Sequence, residues 1–74
     1  MNEIRYVAGG IVLRLFGDLD SALRDARART SITRQGHEVF EARSGFLIKA
    51  EDGTYFDASG PVPEGAVEAL LEGP

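Results

Sequence analysis

Few residues in this chain are of a type that does chemistry, and their spacing decides what each could do. His37 stands next to Glu38 and four residues before Glu41, the makings of a general base and a carboxylate to orient it. Alternation along an extended segment puts Glu38 on the side opposite His37. No Cys or well-placed Ser follows to act as nucleophile. His37 therefore reads as an ordinary histidine at a strand start. Gly9-Gly10 raises the idea of a phosphate cradle, but there is no G-x-G-x-x-G and no Gly-Lys-Ser/Thr, and a strand-like segment follows. The pair reads as a turn. Carboxylates are plentiful, yet a chain of 74 residues offers little room for the deep pocket that paired acid–base catalysis needs. With no Cys and one His, neither a disulfide framework nor a Cys/His metal cage can be built. No catalytic, metal-binding or cofactor-binding residue is assigned, and the chain is read as non-enzymatic.

Charge layout says more. The net charge is −4. Residues 1–23 carry −1, residues 24–43 carry +2 from five Arg against Asp25, Glu38 and Glu41, and residues 44–74 carry −5. An acidic chain gains no general attraction to nucleic acid, whose affinity comes from Lys and Arg on phosphates. Arg24, Arg27, Arg29, Arg34 and Arg43 are the exception, but on a helix the first three point in well-separated directions and make no stripe. Glu64, Glu68 and Glu72 recur every four residues and so run along one side of a helix, roughly 6 Å apart along its axis. That interval is comparable to the spacing of phosphates along a nucleic-acid strand, so such a stripe suits a basic surface, including one built for nucleic acid. Like charges at this spacing cost a few tenths of a kcal/mol per pair.

These groups must be positioned by one small domain, residues 1–74. A chain of this size buries only about 60% of the surface it exposes when unfolded, so its core is thin. The segment "EIRYVAGGIVLRLFG" is β-rich, and a two-residue turn at Gly9-Gly10 would pair Tyr6 with Leu13 and Ile4 with Leu15. A single strand bulged at the glycines is the rival reading. "GDLDSALRDARART" predicts a helix capped by Asp18, with Leu19, Ala22, Leu23, Ala26 and Thr30 on its inner stripe, stopping near Thr30 with Ile32 tucked back under the core. "EARSGFLIKAEDGTYF" predicts a three-stranded meander. Three-residue loops at Arg43-Ser44-Gly45 and Glu51-Asp52-Gly53, each with Gly in the left-handed place, put Phe40, Ala42, Phe46, Ile48, Ala50 and Phe56 on one face. Val39, Glu41, Leu47, Lys49, Tyr55 and Asp57 fall on the other. "SGPVPEGAVEALLEGP" predicts a Pro-bounded turn and a short helix opened by Pro63, with Ala66, Val67, Leu70 and Leu71 on one side. The fold class is two-layer α+β, in ββαβββα order: an antiparallel sheet with the main helix packed on one face and a short C-terminal helix.

The function expected is that of an acidic protein-binding module, an inhibitor or regulator that occupies a basic surface of a larger protein. Its expected contact residues are Val39, Glu41, Leu47, Tyr55 and Asp57 on the outer sheet face and Glu64, Glu68 and Glu72 on the tail helix: apolar anchors ringed by charge. The competing reading of that face is that the tail helix covers it with Val67, Leu70 and Leu71. In size, charge and layout the chain is similar to small acidic phage-encoded inhibitors of host defence, anti-CRISPR proteins among them; no shared motif carries the similarity and no residue role is transferred. Two other readings stand beside it: a structural or accessory subunit that self-associates as a homodimer, and a weak nucleic-acid binder using the Arg-rich middle. No basic-then-apolar leader opens the chain and no apolar run is long enough to span a bilayer, so a cytoplasmic protein with no membrane partner is expected.

Overall fold

A computed structural model describes residues 3–42 and 44–72. Its first element pair follows from Gly9-Gly10. Both glycines have positive φ, 59° and 79°, as a tight hairpin turn between twisted strands requires. The turn joins β1 (Glu3–Ala8) to β2 (Ile11–Phe16), with Tyr6 opposite Leu13 and Ile4 opposite Leu15. Arg5 falls opposite Arg14, a like-charge pair that Glu3 offsets through an ion pair to Arg14 at 3.7 Å.

Helix α1 (Leu19–Thr33) opens on Asp18, whose carboxylate accepts from the Ser21 amide at 3.1 Å and the Ser21 hydroxyl at 2.9 Å. Its buried residues are Ala22 and Ala26, so the helix lies close to the sheet. It runs three residues beyond the stop expected at Thr30. Arg34 adopts the left-handed conformation (φ 63°) and its amide donates to the Thr30 carbonyl at 2.8 Å, closing the helix there instead. The extra turn carries Ile32 out to solvent, 81% exposed, rather than under the core.

Strands β3 (His37–Ala42), β4 (Gly45–Ala50), β5 (Tyr55–Asp57) and β6 (Gly60–Val62) complete an antiparallel six-stranded sheet. Its order is β1-β2-β4-β5-β6, with β3 on the other side of β4. Strand β6, expected as a turn, pairs Val62 with Tyr55 and Pro61 with Phe56. Helix α2 (Glu64–Glu72) follows it. The class is α+β as expected, sheet and main helix forming the two layers, with α2 on the sheet's opposite face.

The β4–β5 loop has the register expected: Ile48 faces Phe56, and Gly53 sits in the left-handed region at φ 93°. The β3–β4 loop does not. Ala42 pairs with Gly45, so the loop has two residues, and Phe40 faces Leu47 while Val39 faces Ile48. Gly45 is a strand residue, and what demands glycine there is close approach. A Cβ would lie 2.7 Å from both Leu15 Cβ and the Phe16 carbonyl oxygen. The one-residue slip reverses β3 relative to β4. Phe46, Ile48 and Phe56 do gather under α1, joined by Val39 in place of Phe40. Phe40 and Ala42 pack on the far side with Leu47, Leu13 and Leu15, beneath Ala66, Val67 and Leu70 of α2.

The molecule therefore has two thin cores, one on each face. Leu47 and Ile48, neighbours on β4, are both fully buried, one in each. Asp57 ties the second hairpin to the first. Its Oδ2 accepts from the Arg14 amide at 2.9 Å, and its Oδ1 accepts from the amides of Ser59 at 2.8 Å and Gly60 at 3.1 Å and from the Ser59 hydroxyl at 2.7 Å. The Ala58 amide donates to the Arg14 carbonyl at 2.8 Å beside it.

Candidate partner-binding groove

The side chains expected to meet a partner separate into those the fold buries and those it collects. Leu47 is fully buried under α2, and Asp57, 3% exposed, is spent on four hydrogen bonds. Val39 belongs to the core under α1. The outer sheet face is thus covered by α2, through Val67 and Leu70; Leu71 stays 48% exposed. Glu41 is exposed but lies on β3, across β4 from β5. Glu72 ends α2, and its side chain lies outside the described residues.

Tyr55, Glu64 and Glu68 do come together. They line one groove of about 570 Å³ between α2 and the β4–β5 loop. Tyr55, Val62, Val67 and Leu71 supply its apolar walls, and Asp52, Glu64 and Glu68 its carboxylates. The loop holds Asp52 in place: its Oδ1 accepts from the Thr54 amide at 2.9 Å, a side-chain turn typical of Asp. That hydrogen bond lowers the Asp52 carboxyl below its ordinary range. With a folded pKa below the unfolded one, the small contribution of this contact is present at neutral pH and fades only as pH falls through the lowered folded value.

Tyr55 has a double role. It is half-buried, stacks edge-on against Phe40 at 5.8 Å between ring centres, and packs on the α2-side core. Its remaining surface faces solvent, where the Lys49 ammonium lies 5.6 Å from the ring centre. The ring thus already meets a cation at the sheet surface. Tyr55→Ala is expected to lower stability by about 2 kcal/mol, from lost packing on Phe40 and the core. Chemical denaturation measures this.

Asp52, Val62, Val67 and Leu71 lie outside the contact set expected from the sequence. For Asp52 the signal was present in Glu51-Asp52-Gly53, a turn that projects a carboxylate; what sequence lacks is the placement of α2 beside it.

Of the other chemistry-bearing residues, His37 and Arg29 are committed elsewhere. His37 Nδ1 lies 2.7 Å from the Gln35 carbonyl oxygen, so that nitrogen carries the hydrogen, and the ring lies 5.8 Å from Phe56. Arg29 pairs with Asp25 at 3.2 Å and lies 4.2 Å over the Phe56 ring. Arg43 lies outside the described residues. Among the described residues no helix is long and apolar enough to cross a membrane. Compared with known protein families, curated proteins and solved structures, the chain matches none.

Proposed function

We propose that this chain is a non-enzymatic binding protein that offers the groove between α2 and the β4–β5 loop to a basic segment on the surface of a larger protein, and so acts as its inhibitor or regulator. The observation that carries this reading is the convergence of Asp52, Glu64 and Glu68 on walls made by Tyr55, Val62, Val67 and Leu71. Lys and Arg have apolar stems and charged heads, so a groove with both kinds of surface suits them better than a purely acidic patch would. Opposed charge also steers encounter and raises the association rate at low salt.

The nucleic-acid reading has less support. Arg29 already serves Asp25 and Phe56, and Arg24 lines a cleft with Glu3 and Asp25. Arg29 is therefore already engaged, and the carboxylates beside the exposed Arg24 would repel a phosphate backbone.

Titration with an arginine-rich peptide at low salt tests the proposal. The combined variant Asp52→Asn, Glu64→Gln, Glu68→Gln is expected to weaken binding about tenfold or more, with most of the difference gone at high salt. Neutralising the exposed Asp20, Glu38 and Glu41, off the groove, changes the net charge equally and is expected to do much less. Equal losses from the two variants would mean that net charge, rather than the groove, attracts the peptide.

A further inference from the structure

Among the described residues, three strands end the sheet with one side unpaired: β1, β6 and β3. Exposed edges invite pairing with another chain, and proteins usually blunt them. Strand β6 is three residues long and carries Pro61, which has no amide hydrogen to offer. On β1 the turn-flanking pair Ala8–Ile11 fixes the hydrogen-bond phase, leaving the backbone groups of Glu3, Arg5 and Val7 outward. Two-fold pairing centred on Arg5, the middle of that edge, would set Arg5 of each copy against the other. Strand β3 has neither protection: six residues, His-Glu-Val-Phe-Glu-Ala, with no Pro and no Lys.

The same phase argument applies to β3. Ala42 and Gly45 flank a two-residue loop and exchange the closely spaced hydrogen bonds, so the N–H and C=O of Glu41, Val39 and His37 face away from β4. Space beside them is open. A groove of about 520 Å³ is lined by Leu23, Ala26 and Thr30 of α1 and by His37, Glu38 and Val39 of β3, with no β4 residue on its wall among the described residues. Glu38 and Val39 point to opposite faces, so a groove that touches both and misses β4 lies on the free side of β3.

We infer that β3 pairs antiparallel with β3 of a second copy, in a register centred on Val39. Charge excludes two neighbouring registers, and a Val39 centre alone sets Glu41 against His37. Centring on Glu38 or Glu41 would set two carboxylates face to face, which opposed strands resist. Centring on Val39 places Glu41 opposite His37, a ring that is neutral or positive and never negative, and Glu38 opposite Phe40. The outward amides and carbonyls of His37, Val39 and Glu41 then all find partners, and the half-buried Leu23 and Val39 are covered. This surface shares no residue with the acidic groove.

The chain has no Cys, so a single Val39→Cys substitution is a clean reporter. Opposed hydrogen-bonded residues stand about 5.5 Å apart at Cα, within disulfide reach. Val39→Cys is expected to form a covalent dimer under mild oxidation well before Val7→Cys, which places an exposed thiol on β1. Unmodified protein should show a concentration-dependent mass in sedimentation, with the amides of Val39 and Glu41 slowing in hydrogen exchange as dimer forms. Glu41→Lys should raise the dissociation constant about tenfold, equivalent to about 1.4 kcal/mol. A mass that stays monomeric across the whole concentration range would overturn the proposal. So would a dimer that leaves those two amides unprotected.

Discussion

Asp57→Ala is expected to destabilise the fold by about 3–5 kcal/mol, a large share of what a domain of this size holds in reserve. The carboxylate is buried and accepts from three backbone amides and one hydroxyl, drawn from β2 and from the β5–β6 turn. Alanine removes every acceptor at once and leaves the Arg14, Ser59 and Gly60 amides with no replacement partner on that side. Each stranded donor costs about 1–3 kcal/mol where water cannot reach it. Asp57→Asn keeps the shape but has one acceptor oxygen for two directions of donation, so one amide must face an NH2 group. It is expected to fall between the wild type and alanine in urea denaturation. If both variants unfolded with the wild type, the turn would have another support.

Gly45→Ala is the second large effect, at about 2–3 kcal/mol, which in a domain this small lowers the melting temperature by roughly 10–20 °C. The added methyl has nowhere to go. It meets Leu15 Cβ and the Phe16 carbonyl oxygen, each at 2.7 Å, and backbone cannot swing aside as a side-chain tip can. The damage should centre on the junction of β2 with β4, where Phe16 lies opposite Phe46. Thermal unfolding by circular dichroism would report it, and a melting temperature equal to that of wild type would refute the close approach.

That glycine also shows where reading the sequence stops. The hairpin at Gly9-Gly10, the Asp18 cap and the loop ending at Gly53 were all legible, because the turn or cap residue acts on its immediate neighbours. Gly45 looks like the same signal and is not: it answers to Leu15 and Phe16, which only the fold brings near. Taking it for a turn residue moved Phe40 to the wrong face and left Leu47 apparently free. Asp57 escaped for the same reason. A strand-end Asp reads as surface charge until Arg14, 43 positions earlier, is laid against it. Of the proposed groove, Tyr55, Glu64 and Glu68 were visible as residues, from β-alternation and helical spacing. Their convergence was not, since it depends on α2 docking back against β1 and beside the β4–β5 loop rather than standing apart.

One consequence follows from Leu47 and Ile48 lying back to back on β4. Each half of the interior is too small to persist without the other, and both are anchored to the same six-residue strand. Pulling α2 away exposes Leu47 and loosens the strand that presents Ile48 to α1; losing α1 does the reverse. The molecule should therefore come apart in a single step, helices and tyrosine environment vanishing together, with no half-folded species for a protease to find.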